Sequence, residues 1–223
     1  MATHLDLEEQ EQLDQLRHFW KSYGNLITWV LIVVFGALAA WNGYHYWQRR
    51  QAVQATALYD EVERAAQAGD LARLERSLTD MKDKFGGTLH GQQAALLAAR
   101  VFQDKDKADS AKAALRWLVE QSSDEGYRAL ARLRLATLLV QDKAYDEALK
   151  SLSAEFPASF AALAADRRGD VLSLQGKEAE AVVEYGKAYR GLDAQADYRR
   201  LVEVKLNALG IDPKAGKDGE SAK

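Results

Sequence analysis

The side chains best placed to do chemistry sit in one short stretch, Asp166-Arg167-Arg168-Gly169-Asp170. On a helix, Asp166 and Asp170 lie one turn apart, the arrangement a general acid and a general base need to act on one substrate. The same spacing equally suits ion pairs with the neighbouring arginines on a solvated face, or contacts to the next helix. That structural reading is favoured, because no nucleophile or metal-ligand motif accompanies the pair. His4, His18, His45 and His90 are too scattered for any two to form a helical metal pair, and each is expected at an interface or on the surface. Cysteine is absent, so disulfides and Cys-based zinc sites are excluded, while either redox compartment remains compatible. The chain contains no Gly-rich phosphate loop, nucleophile elbow or HExxH sequence. The expectation is a protein with no catalytic, cofactor-binding or metal residue, which is not an enzyme.

The element that must carry Asp166 and Asp170 is one of a series of helices. Leu71, Leu74, Leu78, Met81 and Phe85 mark a helix that stops at Gly86 and Gly87. Before it, Val53, Ala57, Leu58, Val62 and Ala65 recur at three- and four-residue intervals up to Gly69, and the two helices are expected to pair antiparallel. Further helices are predicted over 89–103, 107–121, 126–141, 144–155, 159–175, 178–191 and 197–209. Strand patterns are essentially absent.

These helices share a grammar. Turns marked by glutamine recur at Gln67, Gln103, Gln141 and Gln175, at intervals of 36, 38 and 34 residues. Each of the last three pairs places one small residue on its first helix and another twelve positions later on its second: Ala99 with Ala111, Ala136 with Ala148, Gly169 with Ala181. A large apolar residue follows the first small one by three positions (Phe102, Leu139, Leu172), and another follows the second by four (Leu115, Leu152, Tyr185). Small side chains let two backbones approach while large ones fill the groove between neighbours, the grammar of tetratricopeptide hairpins near 34 residues long. The pair over 51–85 fits less well and reads as a cap.

The stretch Ser22 to Gln48 has a different character, with no Asp, Glu, Lys or Arg. It exceeds the roughly 20 residues that a helix needs to cross a bilayer, and a helix satisfies its own backbone hydrogen bonds in lipid. Nine of its central residues are Leu, Ile, Val or Phe, each favouring insertion by about 0.3 to 0.6 kcal/mol, roughly 3 to 5 kcal/mol in sum. Trp20, Tyr23 and Trp29 precede the centre and Trp41, Tyr44, Tyr46 and Trp47 follow it, the placing of amphipathic rings at headgroup depth. A cleaved secretory signal, through the triplet Ala37-Leu38-Ala39, and a buried core helix are the competing readings, but the Glu-rich lead-in is wrong for the first and the aromatic belt argues against the second. Arg17 and Lys21 on one side balance Arg49 and Arg50 on the other, so the positive-inside rule gives no orientation.

The expected organisation is therefore all-α: a short N-terminal arm over 1–21, a transmembrane helix over 22–48, an α-solenoid of helical hairpins over 49–209, and a disordered tail over 210–223 that is short of apolar residues. The arm carries Leu13, Leu16, Phe19 and Trp20 at near-helical spacing and reads either as an interfacial amphipathic helix or as the frayed start of the anchor. A chain of 223 residues leaves enough beyond the anchor for one sizeable core. With 30 basic and 33 acidic residues interspersed, there is no field to draw nucleic acid.

The chain resembles the YfgM family, the ancillary subunit of the bacterial SecYEG translocon, over nearly its whole length. The resemblance rests on Phe19-Trp20-Lys21 with Gly24, on the run Trp41, Tyr44, Tyr46 and Trp47, and on Ala165-Asp166-x-Arg168-Gly169-Asp170 leading to Leu172 and Gly176-Lys177. The tail after Gly210 departs from the family pattern. The resemblance implies an inner-membrane protein with its N-terminus in the cytoplasm and its repeat domain in the periplasm. It further implies contact with SecYEG, partnership with the membrane-anchored chaperone PpiD, and chaperone-like help to secreted polypeptides as they emerge. The alternative is an inner-membrane repeat scaffold for another envelope or cytoplasmic complex.

Overall fold

The computed structural model describes residues 7–214, and all regular structure among them is helical. The helices are α1 (Leu7–Ala68), α2 (Leu71–Phe85), α3 (Leu89–Asp104), α4 (Ala108–Gln121), α5 (Glu125–Gln141), α6 (Tyr145–Leu152), α7 (Ala158–Leu174), α8 (Glu178–Gly191) and α9 (Asp197–Ala208). The arm from Leu7 onward, the anchor and the first amphipathic segment, distinct by composition, are thus one uninterrupted helix. No proline or paired glycine breaks it, and its junction residues are good helix formers, Gln48, Arg49, Arg50 and Gln51. The expected helix over 144–155 ends early, at Leu152. Pro157 disfavours helical backbone at Phe156, and Ser153 turns its hydroxyl back onto the Lys150 carbonyl.

The chain divides into two compact units between Val53 and Gln54. In the first, α1 holds the one described helix long and apolar enough to cross a membrane. Its apolar side chains face outward: Val33 is 65% exposed, Phe35 65% and Trp41 66%. Trp20 folds back over Gly24, where an added Cβ would lie 3.2 Å from the indole, and Thr28 donates its hydroxyl to the Gly24 carbonyl.

In the second unit, α3 packs closely on α4, α4 on α5, α5 on α6 and α7 on α8. α1 and α2 make far fewer close backbone approaches, which suits a cap better than a full antiparallel hairpin; Arg73 of α2 nevertheless bonds Glu61 of α1. Val62 and Ala65 are buried as predicted, but Val53 and Ala57 are exposed and Ala55 is buried instead. The small residues meet at the crossings as their spacing predicts: Ala99, Ala111, Ala136, Ala148, Gly169 and Ala181 are all buried. The large ones, Phe102, Leu139, Leu172, Leu115, Leu152 and Tyr185, fill the space between. One core runs from α1 to α7 and a second from α7 to α9.

The turns are one device repeated. The amide of Lys107 donates to the Phe102 carbonyl at 2.7 Å, Ala144 to Leu139 at 2.8 Å and Lys177 to Leu172 at 2.9 Å. Asp70 to Ala65 and Ile211 to Leu206 close in the same way. Each turn has a residue of positive φ immediately before the donor, Asp106, Lys143, Gly176, Gly69 and Gly210, the left-handed position that lets spare helix carbonyls find a partner. The register of the repeat is therefore set by the buried apolar residue and the left-handed one, and the glutamines only accompany it. Of the expected tail, residues 210–214 are held, Ile211 by this turn and Lys214 by an ion pair with Glu203; the remainder lies outside the described residues, as does His4.

Candidate functional site

Helix α7 buries Asp166 among its neighbours, while Asp170, only partly buried, lines a cavity between α5 and α7. Asp166 is fully buried. It accepts from the Tyr198 hydroxyl at 2.6 Å and from Lys205 Nζ at 2.8 Å, both on α9. The same ammonium donates to Asp170 at 2.6 Å, which also accepts from Tyr185 of α8 at 2.9 Å and Arg167 at 3.2 Å. Arg168 turns the other way, to Glu184 at 2.7 Å and the Leu152 carbonyl at 2.9 Å. Burial, then the hydrogen bond to a carboxylate, raises the Tyr185 and Tyr198 phenols well above the ordinary range. For Glu184, burial pushes upward, but Lys187 and Arg168 outweigh it and hold the carboxyl below its usual value.

A general acid or base must reach a substrate proton, whereas both carboxylates here are occupied by one ammonium. The geometry is that of a clamp tying α9 and α8 to α7. The expectation of contact with the next helix is met; the solvated face is corrected for Asp166, whose partner Lys205 lies 39 positions away. Among the described residues, no group of three His, Asp or Glu side chains stands where it could hold a metal ion.

What the repeat unit does offer is a face built from the first helices of its hairpins. A cavity of about 460 Å³ is lined by Tyr59 of α1, Gln93 and Leu96 of α3, Tyr127 and Leu130 of α5 and Phe160 of α7. All six are partly exposed. His90 stacks on Tyr59 with ring centroids 5.4 Å apart, and its Nε2 meets the Thr56 hydroxyl at 3.1 Å. Burial, then Glu63, then Tyr127 raise the Tyr59 phenol. A second cavity of about 420 Å³ lies between α5 and α7 and includes Thr137, Val140, Gln141, Arg167 and Leu174. Apolar, concave and rimmed by a few polar groups, these cavities have the character of binding surfaces. No motif flagged them in sequence, since the lining of each is shared among several helices far apart in the chain.

The first unit contributes a surface of another kind. Tyr44 and Trp47 pack at 6.4 Å, Trp41 meets His45 edge-on at 4.7 Å, and the Arg50 guanidinium lies 4.9 Å over the Tyr46 ring. Rings and guanidinium together suit the boundary between hydrocarbon and headgroups.

The sequence profile of the tetratricopeptide repeat-like domain matches residues 17–211. A protein of Neisseria gonorrhoeae named ancillary SecYEG translocon subunit is 33% identical over 213 residues, covering 94% of this chain and all of the relative. Proteins of the same name from Escherichia coli and Haemophilus influenzae are each 28% identical over 206 residues, covering 91% of this chain and 97% and 98% of theirs.

Proposed function

The chain belongs to the YfgM family of ancillary SecYEG translocon subunits, and from that premise we propose that it is a single-pass inner-membrane adaptor that works beside the translocon by binding polypeptides. The observation that carries this reading is the joining in one chain of an outward-facing apolar helix to hairpins whose first-helix face is a groove. The helix, over 22–48, takes up lipid. The repeat domain lies on the periplasmic side with the N-terminus in the cytoplasm, and binds the chaperone PpiD and emerging secreted chains without catalysing a reaction. A tether of this kind makes each encounter near-intramolecular, so modest contacts suffice for occupancy.

Deleting residues 1–48 tests it. The truncated protein should stay folded and lose co-purification with SecYEG from solubilised membranes; a truncated form that keeps the translocon would contradict the anchor's role. Orientation is tested by reporters fused after Lys223: periplasmic phosphatase activity is expected, and cytoplasmic fluorescence instead would favour the scaffold of another complex.

A further inference from the structure

The repeat does not stop at α8. The amide of Ile211 donates to the Leu206 carbonyl as Lys107 does to Phe102, Ala144 to Leu139 and Lys177 to Leu172, so α9 stands in the register of α3, α5 and α7 as the first helix of a further hairpin. Among the described residues no second helix follows it. Residues 215–223 read AGKDGESAK and bring no large apolar side chain to that place. Where the complete hairpins cross at Ala99, Ala136 and Gly169, α9 carries Glu203, which pairs with Lys214.

The place of that second helix is open. Inside the solenoid, second helices meet the next hairpin through fixed positions. On α4, Lys112 and Arg116, one and five residues after the buried Ala111, pair with Asp142 and Glu147; on α6, Leu149, one residue after Ala148, packs against the second core. The same positions on α8, counted from Ala181, are Val182 and Gly186, and both line a cavity of about 520 Å³ between α8 and α9. Val183, 56% exposed, and Leu206 add apolar walls. A solenoid's terminal unit ordinarily closes with a polar outer face; this edge keeps the character of an internal contact.

The charged residues of the lining, Arg190 and Arg199, are both cations. Arg190 is exposed and makes no ion pair among the described residues. Arg199 lies 4.2 Å over the Tyr189 ring, with its Nε buried and without a hydrogen-bond partner. Its counterpart in register is Arg132 of α5, four residues before the crossing, which donates to the Glu155 carbonyl just beyond the C-terminus of α6. Arg199 is thus set to meet the C-terminal end of a second helix, where unpaired carbonyls and the negative end of the dipole favour a cation.

We infer that this edge docks an amphipathic helix of another polypeptide, which takes the place of that second helix, seats an apolar stripe on Val182, Val183 and Leu206, and turns an acidic C-terminal end toward Arg190 and Arg199. The occupant continues the contact by which α4 and α6 meet the next hairpin, and its end charge complements the two guanidinium groups. The surface is separate from the groove on the first helices.

The test uses the full chain in lipid nanodiscs and fluorescent sixteen-residue peptides read by anisotropy: alanine–glutamine helices with a leucine stripe, stapled to equal helicity. One carries glutamates in its last turn, one lysines there, and one its glutamates in the first turn instead. The first should bind about tenfold more tightly than either of the others. Val183→Asp, at an exposed position, should abolish that binding, and Arg190→Glu should remove or invert the preference for the acidic end, both with circular dichroism unchanged. Equal affinity for the three peptides, or a preference that survives Arg190→Glu, overturns the inference. So does binding that Val183→Asp leaves intact, which would place the peptides elsewhere on the repeat domain. Concentration-dependent dimers of the full chain in detergent that Val183→Asp abolishes would give the edge to a second copy, and binding seen only after deletion of residues 215–223 would give it to the chain's own tail; either result overturns the assignment. The adaptor reading is decided separately, by the anchor deletion.

Discussion

Gly169→Ala is the substitution whose cost can be worked most directly from the packing. A Cβ at Gly169 would lie 2.6 Å from two atoms of the Tyr185 ring, where carbon atoms rest at about 3.5–4.0 Å. The ring must retreat by about 1 Å in a crossing already buried on both sides, an overpacking worth about 1–3 kcal/mol. Its retreat also strains the Tyr185 hydrogen bond to Asp170, a bond to a charged group worth about 1.5–3 kcal/mol when lost outright. Against this stands the gain of alanine over glycine inside a helix, about 1 kcal/mol. The net expectation is a loss of about 1–3 kcal/mol. The other two hairpins carry alanine and leucine at the corresponding buried positions, Ala99 with Leu115 and Ala136 with Leu152. Tyr185→Leu should therefore be costly alone and partly rescue Gly169→Ala, with a favourable coupling of about 1 kcal/mol in the double-mutant cycle. Urea titrations of the full chain in mild detergent, followed by circular dichroism, read all four corners. A Gly169→Ala variant as stable as the parent, or strict additivity, would refute the reasoning.

Lys205→Met should leave the buried Asp166 carboxylate without its cation and cost about 3 kcal/mol, with hydrogen exchange rising in α9 before α3–α5; unchanged α9 protection would count against the clamp. Lys143→Gly, at a φ of 60°, should stabilise the repeat domain by up to about 1 kcal/mol in the same titration. The raised phenols of Tyr185 and Tyr198 favour the folded state fully below the unfolded tyrosine value near pH 10, and that contribution is lost as pH climbs toward their folded values. An ultraviolet alkaline titration should accordingly show tyrosines that ionise only on unfolding, and their titration in the folded protein would dispose of this.

Much of the architecture was open to reading because its causes are local. Asp70, Thr88 and Asp124 cap α2, α3 and α5 through their side chains, and glycines or a proline stand in half of the gaps between helices, so many helix limits follow from short-range chemistry. Small residues twelve apart identified the crossings, since close approach leaves them no substitute. What stayed hidden was whatever joins distant segments. Lys205 has no local sign of its tie to Asp166, and the cavity walled by Tyr59, Tyr127 and Phe160 emerges only when their helices stand side by side. The glutamine turns misled in register, because the structural marker is a buried apolar residue followed by a left-handed one, and at Asp106 and Lys143 that position is not glycine. Continuity of α1 was missed because composition changes along it while helix propensity does not.

The central claim is that the outward-facing helix sets this domain against the translocon. Its most direct test is a photoactivatable amino acid at Val34 or Leu38, both exposed on α1, irradiated in intact membranes. The account predicts adducts with a SecYEG subunit that vanish when the probe is moved to Arg116 on the exposed surface of α4. Labelling of lipid alone at both anchor positions would contradict it.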